Sequence, residues 1–214
     1  NNTPLDDLSC ELEKIFNVQD YLKVMAMDVF TANWDGYIWD KNNFYLYHNT
    51  DTDKFEFLPY DLDNTFGIDW FSIDWGTRDI YNWGHDNEDR PLYDRLMQVQ
   101  KYRDWYSFYL NQVIDLMDPD IYFARIDEIR LQIYPYIVDD YYYTLDYGYT
   151  PQDFNDSYAT GIDSHVPYGI KEYFLARINS ANNQLELNNT VPIVNYLKAE
   201  HSGPGSMMDV SVYV

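Results

Sequence analysis

The sequence predicts an α+β fold, mainly helical, with one β-hairpin in its first third. Three observations predict it. Apolar residues recur at helical spacing in several segments, most of them after Pro91. Two short aromatic runs, residues 44–47 and 54–58, alternate on either side of the polar stretch 48–53, the pattern of a hairpin. A hydrophobic fraction of 46%, with 23 Tyr and six Trp among 214 residues, is enough to fill an aromatic-rich interior. So many tyrosines also imply clefts and half-buried surfaces where a hydroxyl stays wet.

Taken in order, residues 20–30 carry a helical period with Asn17 placed to cap its start. The hairpin follows. Residues 68–90 hold Trp70, Trp75 and Trp83 among glycines and acids without a period, which predicts an ordered loop packed by its own aromatics. Helices are expected over 92–99 and 102–117, the second with Trp105, Phe108, Tyr109, Val113 and Leu116. Another should start at Pro119 and run through Ile121, Ile126, Ile129 and Ile133. Residues 144–166 read as a connecting loop, and 167–187 as a last amphipathic helix with Ile170, Phe174, Ile178 and Leu185 on one side. Beyond residue 188 the character changes: 191–194 and 210–214 alternate like strands around a Gly/Pro/Ser-rich joint. Residues 188–214 are therefore expected to be a linker and the start of a following β-rich domain, the other reading being a strand that packs back on the helical body.

Charge excludes one class of partner. With 36 acidic residues against 14 basic ones, and a net charge of −22, the chain offers no Lys/Arg patch for nucleic acid. Such acidity suits either a solvated surface on an exported or salt-tolerant protein, or a cleft that accepts a polyphosphate only together with a divalent cation. Cys10 is the only cysteine, so there is no intrachain disulfide and no Cys-based zinc site. No apolar run approaches a membrane span. The polar opening Asn1-Asn2-Thr3-Pro4 has no signal-peptide pattern and reads as a segment of something longer.

Three stretches carry the chemistry: Asn33-Trp34-Asp35-Gly36-Tyr37, Lys41 to Tyr47, and Pro59-Tyr60-Asp61-Leu62-Asp63-Asn64-Thr65-Phe66-Gly67. They put an acid, an amide and a second acid on short loops around the hairpin, a minimal set for holding a metal-bound nucleotide and aiming a hydroxyl at it. Each residue also has a plainer reading. Asp35 precedes Gly36 and could simply cap a turn. Asn43 could open a strand, with Asn42 as its rival for any amide role. Asp63 could be a solvated turn acid, Lys41 a solvated loop lysine, and Trp34 a packing aromatic. The segment 49–53 alternates oxygen side chains as calcium loops do. It lacks the turn glycine and the closing Glu, and a hairpin turn accounts for it better.

With these motifs, joined by Arg90-Pro91-Leu92-Tyr93-Asp94-Arg95-Leu96 and Gly169-Ile170-Lys171-Glu172-Tyr173-Phe174, the chain resembles the CotH-type kinases, an atypical branch of the protein-kinase-like fold. The likeness runs from about Leu5 to Leu187. It implies that residues 1–187 are the large-lobe portion of such a domain, and that ATP and Mg²⁺ or Mn²⁺ are its cofactors. It further implies that protein Ser/Thr hydroxyls are the acceptors, with a place outside the cell, at the cell surface or in a spore coat. Carried over residue by residue, Asp35 would be the catalytic-loop carboxylate, and Asn43 and Asp61 the metal ligands with Asp63 a possible second. Lys41 would be a charge near the transferring phosphate. The spacing departs from ordinary protein kinases, with Asn43 eight and Asp61 twenty-six residues after Asp35. No G-x-G-x-x-G or G-x-x-x-x-G-K occurs. In that family the phosphate-covering parts belong to an upstream small lobe, so the expectation is weak or no activity for this piece alone. The competing expectation is an adhesion or scaffold module with a vestigial site.

Overall fold

The computed structural model describes residues 2–85, 87–145 and 147–187, and the backbone of 196–201 and 208–213. Elements follow in the order α1 (Leu5–Ile15), α2 (Val18–Thr31), α3 (Tyr37–Asp40), β1 (Phe44–Asn49), β2 (Lys54–Pro59), α4 (Pro91–Met97), α5 (Gln100–Leu116), α6 (Pro119–Asp139), α7 (Pro151–Asp156), α8 (Ile170–Gln184), β3 (Tyr196–His201) and β4 (Met208–Tyr213). The class is α+β and mostly helical.

Local chemistry explains most of the boundaries. Asn17 caps α2 by accepting from the Asp20 amide. Pro91 and Pro119 stand in the first turns of α4 and α6, where a missing N–H costs nothing, and Asp118 caps the second of these. The hairpin pairs antiparallel from Phe44↔Pro59 to Asn49↔Lys54, and residues 50–53 form its turn, with Asp53 in the left-handed region at φ 55. One hairpin face stacks Phe44 on Phe57 at 5.1 Å above Tyr21 and Tyr37. The other leaves Tyr45, Tyr47 and Leu58 exposed.

Between β2 and α4 the described residues form neither helix nor strand, and the aromatics pack the loop as expected. Trp75 and Trp83 are fully buried, whereas Trp70 is half exposed. The loop is ordered by Asp69, whose carboxylate accepts from the Phe71 and Ile73 amides and from Trp75 Nε1. The Arg78 guanidinium lies 4.7 Å from the Trp39 ring centroid. Helices α2 and α5 pack together, with Leu22, Met25, Val29, Tyr106 and Leu110 in the core.

Two expectations need correction, and two features were not foreseen. Helix α1 was signalled by no motif; it buries only Leu8 and has no side-chain cap. The stretch 144–166 is not all loop: Thr150 and Asp153 form a reciprocal capping box that starts α7 at Pro151. The last helix begins at Ile170, not Pro167: Gly169 is its extended N-cap, with its amide donating to the Glu172 carboxylate, and it lies against the Thr160 backbone, where a β-carbon would sit 2.2 Å from the Thr160 nitrogen. Helix α6 buries none of its residues, and Ile121 is 65% exposed. Phe123 and Ile126 pack against the core, so its apolar face is only partly covered. In the tail, residues 191–194 lie outside those described, while β3 and β4 form an antiparallel pair. No helix among the described residues is long and apolar enough to cross a membrane.

Candidate active site

The site is built on the C-terminus of α2, where a helix leaves its last four carbonyls without intrahelical partners. Here each finds one. The Asp28 carbonyl accepts from the Ala32 and Asn33 amides, with Ala32 in the left-handed conformation that ends the helix. The Val29 carbonyl accepts from Nε and Nη2 of Arg177, a fully buried cation at the negative end of the helix dipole. The Phe30 carbonyl accepts from the Tyr173 hydroxyl at 2.7 Å, and the Thr31 carbonyl from the Phe66 amide at 2.6 Å. Helix α8 and the loop after β2 are thereby tied to the point where Asn33-Trp34-Asp35 leaves the helix. Trp34 is the packing aromatic of its plainer reading: it is buried, and its Nε1 donates to the Ile68 carbonyl.

The hairpin brings the next two groups together. Its register continues one step past Phe44↔Pro59, since the Tyr60 amide donates to the Asn43 carbonyl at 3.0 Å. Asn43 and Asp61 therefore stand at the open end of the hairpin, both in the left-handed region at φ 54 and 55, which Asn and Asp tolerate best among residues with a β-carbon. Asn43 Nδ2 donates to Asp35 Oδ2 at 3.0 Å and to the Asp35 carbonyl at 3.2 Å, which turns its amide oxygen the other way. Asn42 Nδ2 reaches Asp35 Oδ1 at 3.3 Å. Neither asparagine displaces the other: both hold the same carboxylate.

Asp61 and Asp63 are exposed on the loop that follows. The Asp63 charge, and after it burial, the hydrogen bond to Asp63 and the Asp35 charge, raise the Asp61 carboxyl above the usual carboxylate range. Asn64, which sequence reasoning missed, bridges the two acidic loops by donating to Asp35 Oδ2 at 3.1 Å and to Asp63 Oδ1 at 3.2 Å. Its only signal was its place inside the Asp61–Gly67 motif. Asp40 was also missed. Burial and then the Asp35 charge raise its carboxyl, and nothing in a four-residue helix announces that contact. Lys41 stands apart from the Asp35–Asn43–Asn64 hydrogen bonds, paired with Glu88 at 2.9 Å and 43% exposed; Glu88 in turn meets the buried Arg90 at 3.2 Å.

This donor set suits a hard divalent cation. It consists of oxygens, two of them on mutually repelling carboxylates whose charge a cation would offset. Among the described residues no three His, Cys, Asp or Glu side chains are grouped so as to hold a metal ion by themselves. Asn43, Asp61 and Asp63 could therefore hold magnesium or manganese only with phosphate or water oxygens completing the shell, the manner in which such ions bind beside nucleotides.

The family model described as CotH kinase protein matches residues 1–197. The chain belongs to the CotH kinase family. Among curated CotH relatives, the chain is 29% identical over 148 residues to the inner spore coat protein H of Bacillus subtilis (strain 168), a match covering 66% of this chain and 38% of that protein. It is 39% identical over 57 residues to each of the invasins CotH3 and CotH2 of Rhizopus delemar, matches covering 26% of this chain and 10% of theirs. The chain thus spans well under half of the length of these CotH relatives.

Proposed function

We propose that this chain carries the large-lobe half of a protein-kinase-like active site, and that the intact protein transfers the γ-phosphoryl group of ATP to protein Ser or Thr hydroxyls. The observation that supports this best is the meeting of Asp35, Asn43 and the Asp61–Asn64 loop at one hairpin mouth, all tied through the Asp35 carboxylate. Family membership agrees with it.

In this reading Asp35 accepts or aims the proton of the acceptor hydroxyl, its orientation fixed by amide donors from Asn42, Asn43 and Asn64. Asn43 and Asp61 bind the divalent ion of the nucleotide, and Asp63 stands beside them as a second ligand. A bound ATP–magnesium supplies the phosphoryl group and neutralises its charge. Lys41 is held by Glu88 at the edge and swings toward phosphate only by breaking that pair. A cavity of about 300 Å³ next to Asp63, lined by Tyr143, Tyr149, Asp153 and Ser157 among others, gives room for an acceptor segment. The 214 residues contain no G-x-G-x-x-G or G-x-x-x-x-G-K phosphate loop, so in this reading they should transfer little phosphate on their own. A surface or spore-coat location goes with the same reading.

The test is incorporation of labelled phosphate by the intact protein with ATP and magnesium or manganese, and its loss in Asp61→Asn. The invasin names of the fungal relatives favour a second reading, an adhesion or scaffold module whose site is vestigial. Intact protein that binds a surface partner yet takes up no nucleotide with either metal would decide for it.

A further inference from the structure

Asp28 is a buried acid in the last turn of α2, 6% exposed, and the phosphoryl-transfer reading gives it no role. Its Oδ1 accepts from Asn33 Nδ2 at 3.0 Å. Its Oδ2 faces Gly36, where a β-carbon would stand 3.4 Å from that oxygen and 3.0 Å from Asn33 Nδ2. Gly36 has φ −87 and ψ −171, extended backbone open to any residue, so the glycine supplies space and not conformational freedom. Asn33 and Gly36 bracket Trp34-Asp35, and both rest on this one carboxyl group. The Asp28 carbonyl grips the same turn through the Asn33 amide at 2.8 Å.

The arrangement is costly. Asn33 Oδ1 and the Tyr21 hydroxyl are buried without hydrogen-bond partners, and Tyr21 feels the Asp28 charge. Burial raises the Asp28 carboxyl to about 7, with the Asn33 hydrogen bond opposing it. An apolar side chain of similar volume would fill this place without a buried acid. Packing alone therefore does not explain an acid here, whereas a need to fix the turn does.

We propose that Asp28 is a positioning residue: by holding Asn33 and seating Gly36 it fixes the turn that aims Asp35. The proposal rests on the reading of Asp35 as the acceptor-aiming carboxylate, and two measurements keep the two ideas separable. In the intact protein, Asp28→Leu should lower kcat about 100-fold, the scale of a misplacement near 1 Å, with KM for ATP unchanged. Asp28→Asn, which keeps an oxygen for Asn33, should restore most of the rate. Gly36→Ala leaves Asp28 in place and presses on the same contacts, so it should lose kcat too, even where Asp28→Leu folds poorly. Full kcat in folded Asp28→Leu or in Gly36→Ala overturns the proposal. The second measurement needs no activity: amide hydrogen exchange should quicken at residues 33–36 in Asp28→Leu and in Gly36→Ala and stay slow in α5. Unchanged exchange at 33–36 likewise overturns it. Wild-type protein that transfers no phosphate defeats the functional reading, while the exchange result still decides whether Asp28 holds the turn.

Discussion

The floor and the rim of the site are built on opposite terms. The floor, made by α2, α5, α8 and the tryptophans of the 68–90 loop, buries Leu22, Trp75, Trp83, Tyr106, Leu110 and Tyr173 completely. Even Arg177, a fully buried charge in it, has each guanidinium nitrogen on a backbone carbonyl. The rim, residues 32–43 and 60–67, holds Ala32, Lys41, Asn43, Asp61 and Phe66 at positive φ and gathers like charges on exposed loops. Strained backbone and unneutralised acids cost stability. The contrast shows where this molecule keeps its stability and where it keeps its chemistry, joined through the carbonyls at the end of α2.

Substitutions on each side should separate the two. The largest effect belongs to the floor: Arg177→Met strands the Val29 and Arg78 carbonyls and should cost about 4 kcal/mol in denaturant unfolding. A loss below about 1 kcal/mol would mean that the carbonyls find other partners. Leu110→Ala, which empties a fully buried site on α5, should cost about 3 kcal/mol, whereas Leu131→Ala on the outward side of α6, 67% exposed, should leave the transition nearly unmoved. On the rim, Asp61→Asn should lower phosphate incorporation on the order of 100-fold, while Tm stays level or rises as the repulsion from Asp63 disappears. A variant that loses Tm and activity in parallel would put Asp61 in the scaffold.

Asp28 lies between floor and rim, and pH should expose it. Its carboxyl stands at about 7 when folded and near 4 when unfolded. Between those values the folded state holds one more proton than the unfolded state, so this group's contribution to stability falls as pH rises, by about 1.4 kcal/mol per pH unit, and levels off above 7. Asp28→Asn removes that slope: its stability relative to wild type should climb from pH 5 to pH 7. A difference independent of pH would show that Asp28 ionises normally. On the rim the smallest effect is expected at Lys41→Gln, where an exposed pair with Glu88 contributes below about 1 kcal/mol.

Much of this was legible in the chain. The helix over residues 20–30, its Asn17 cap, the hairpin and the proline-started helices follow from local rules, because caps, periods and turn residues act within a few positions. Asp35, Asn43 and Asp61 stood out for the same reason, as they sit in dense motifs. The misses were of two kinds. Short pieces such as α3 and α7 escape period arguments, although Thr150 and Asp153 spelled a capping box. Asp40, Asn64, Tyr173 and Arg177 matter through contacts that span up to 148 positions in the chain.

By itself, then, the sequence determined the longer helices after residue 17 and the hairpin, the aromatic packing of the 68–90 loop and the identities of the acids and amides around the hairpin, since these depend on neighbours along the chain. Only the tertiary structure decided that Asn42 and Asn43 hold one carboxylate together, that Asn64 bridges both loops, and that Lys41 is turned to Glu88. It alone left Ile121 and Leu131 of α6 exposed while Phe123 and Ile126 pack on the core. The physical reason is that a side chain's hydrogen-bond partner is set by where distant backbone segments end. Here that was fixed by the carbonyls of α2 and the register of the hairpin, which no local pattern encodes.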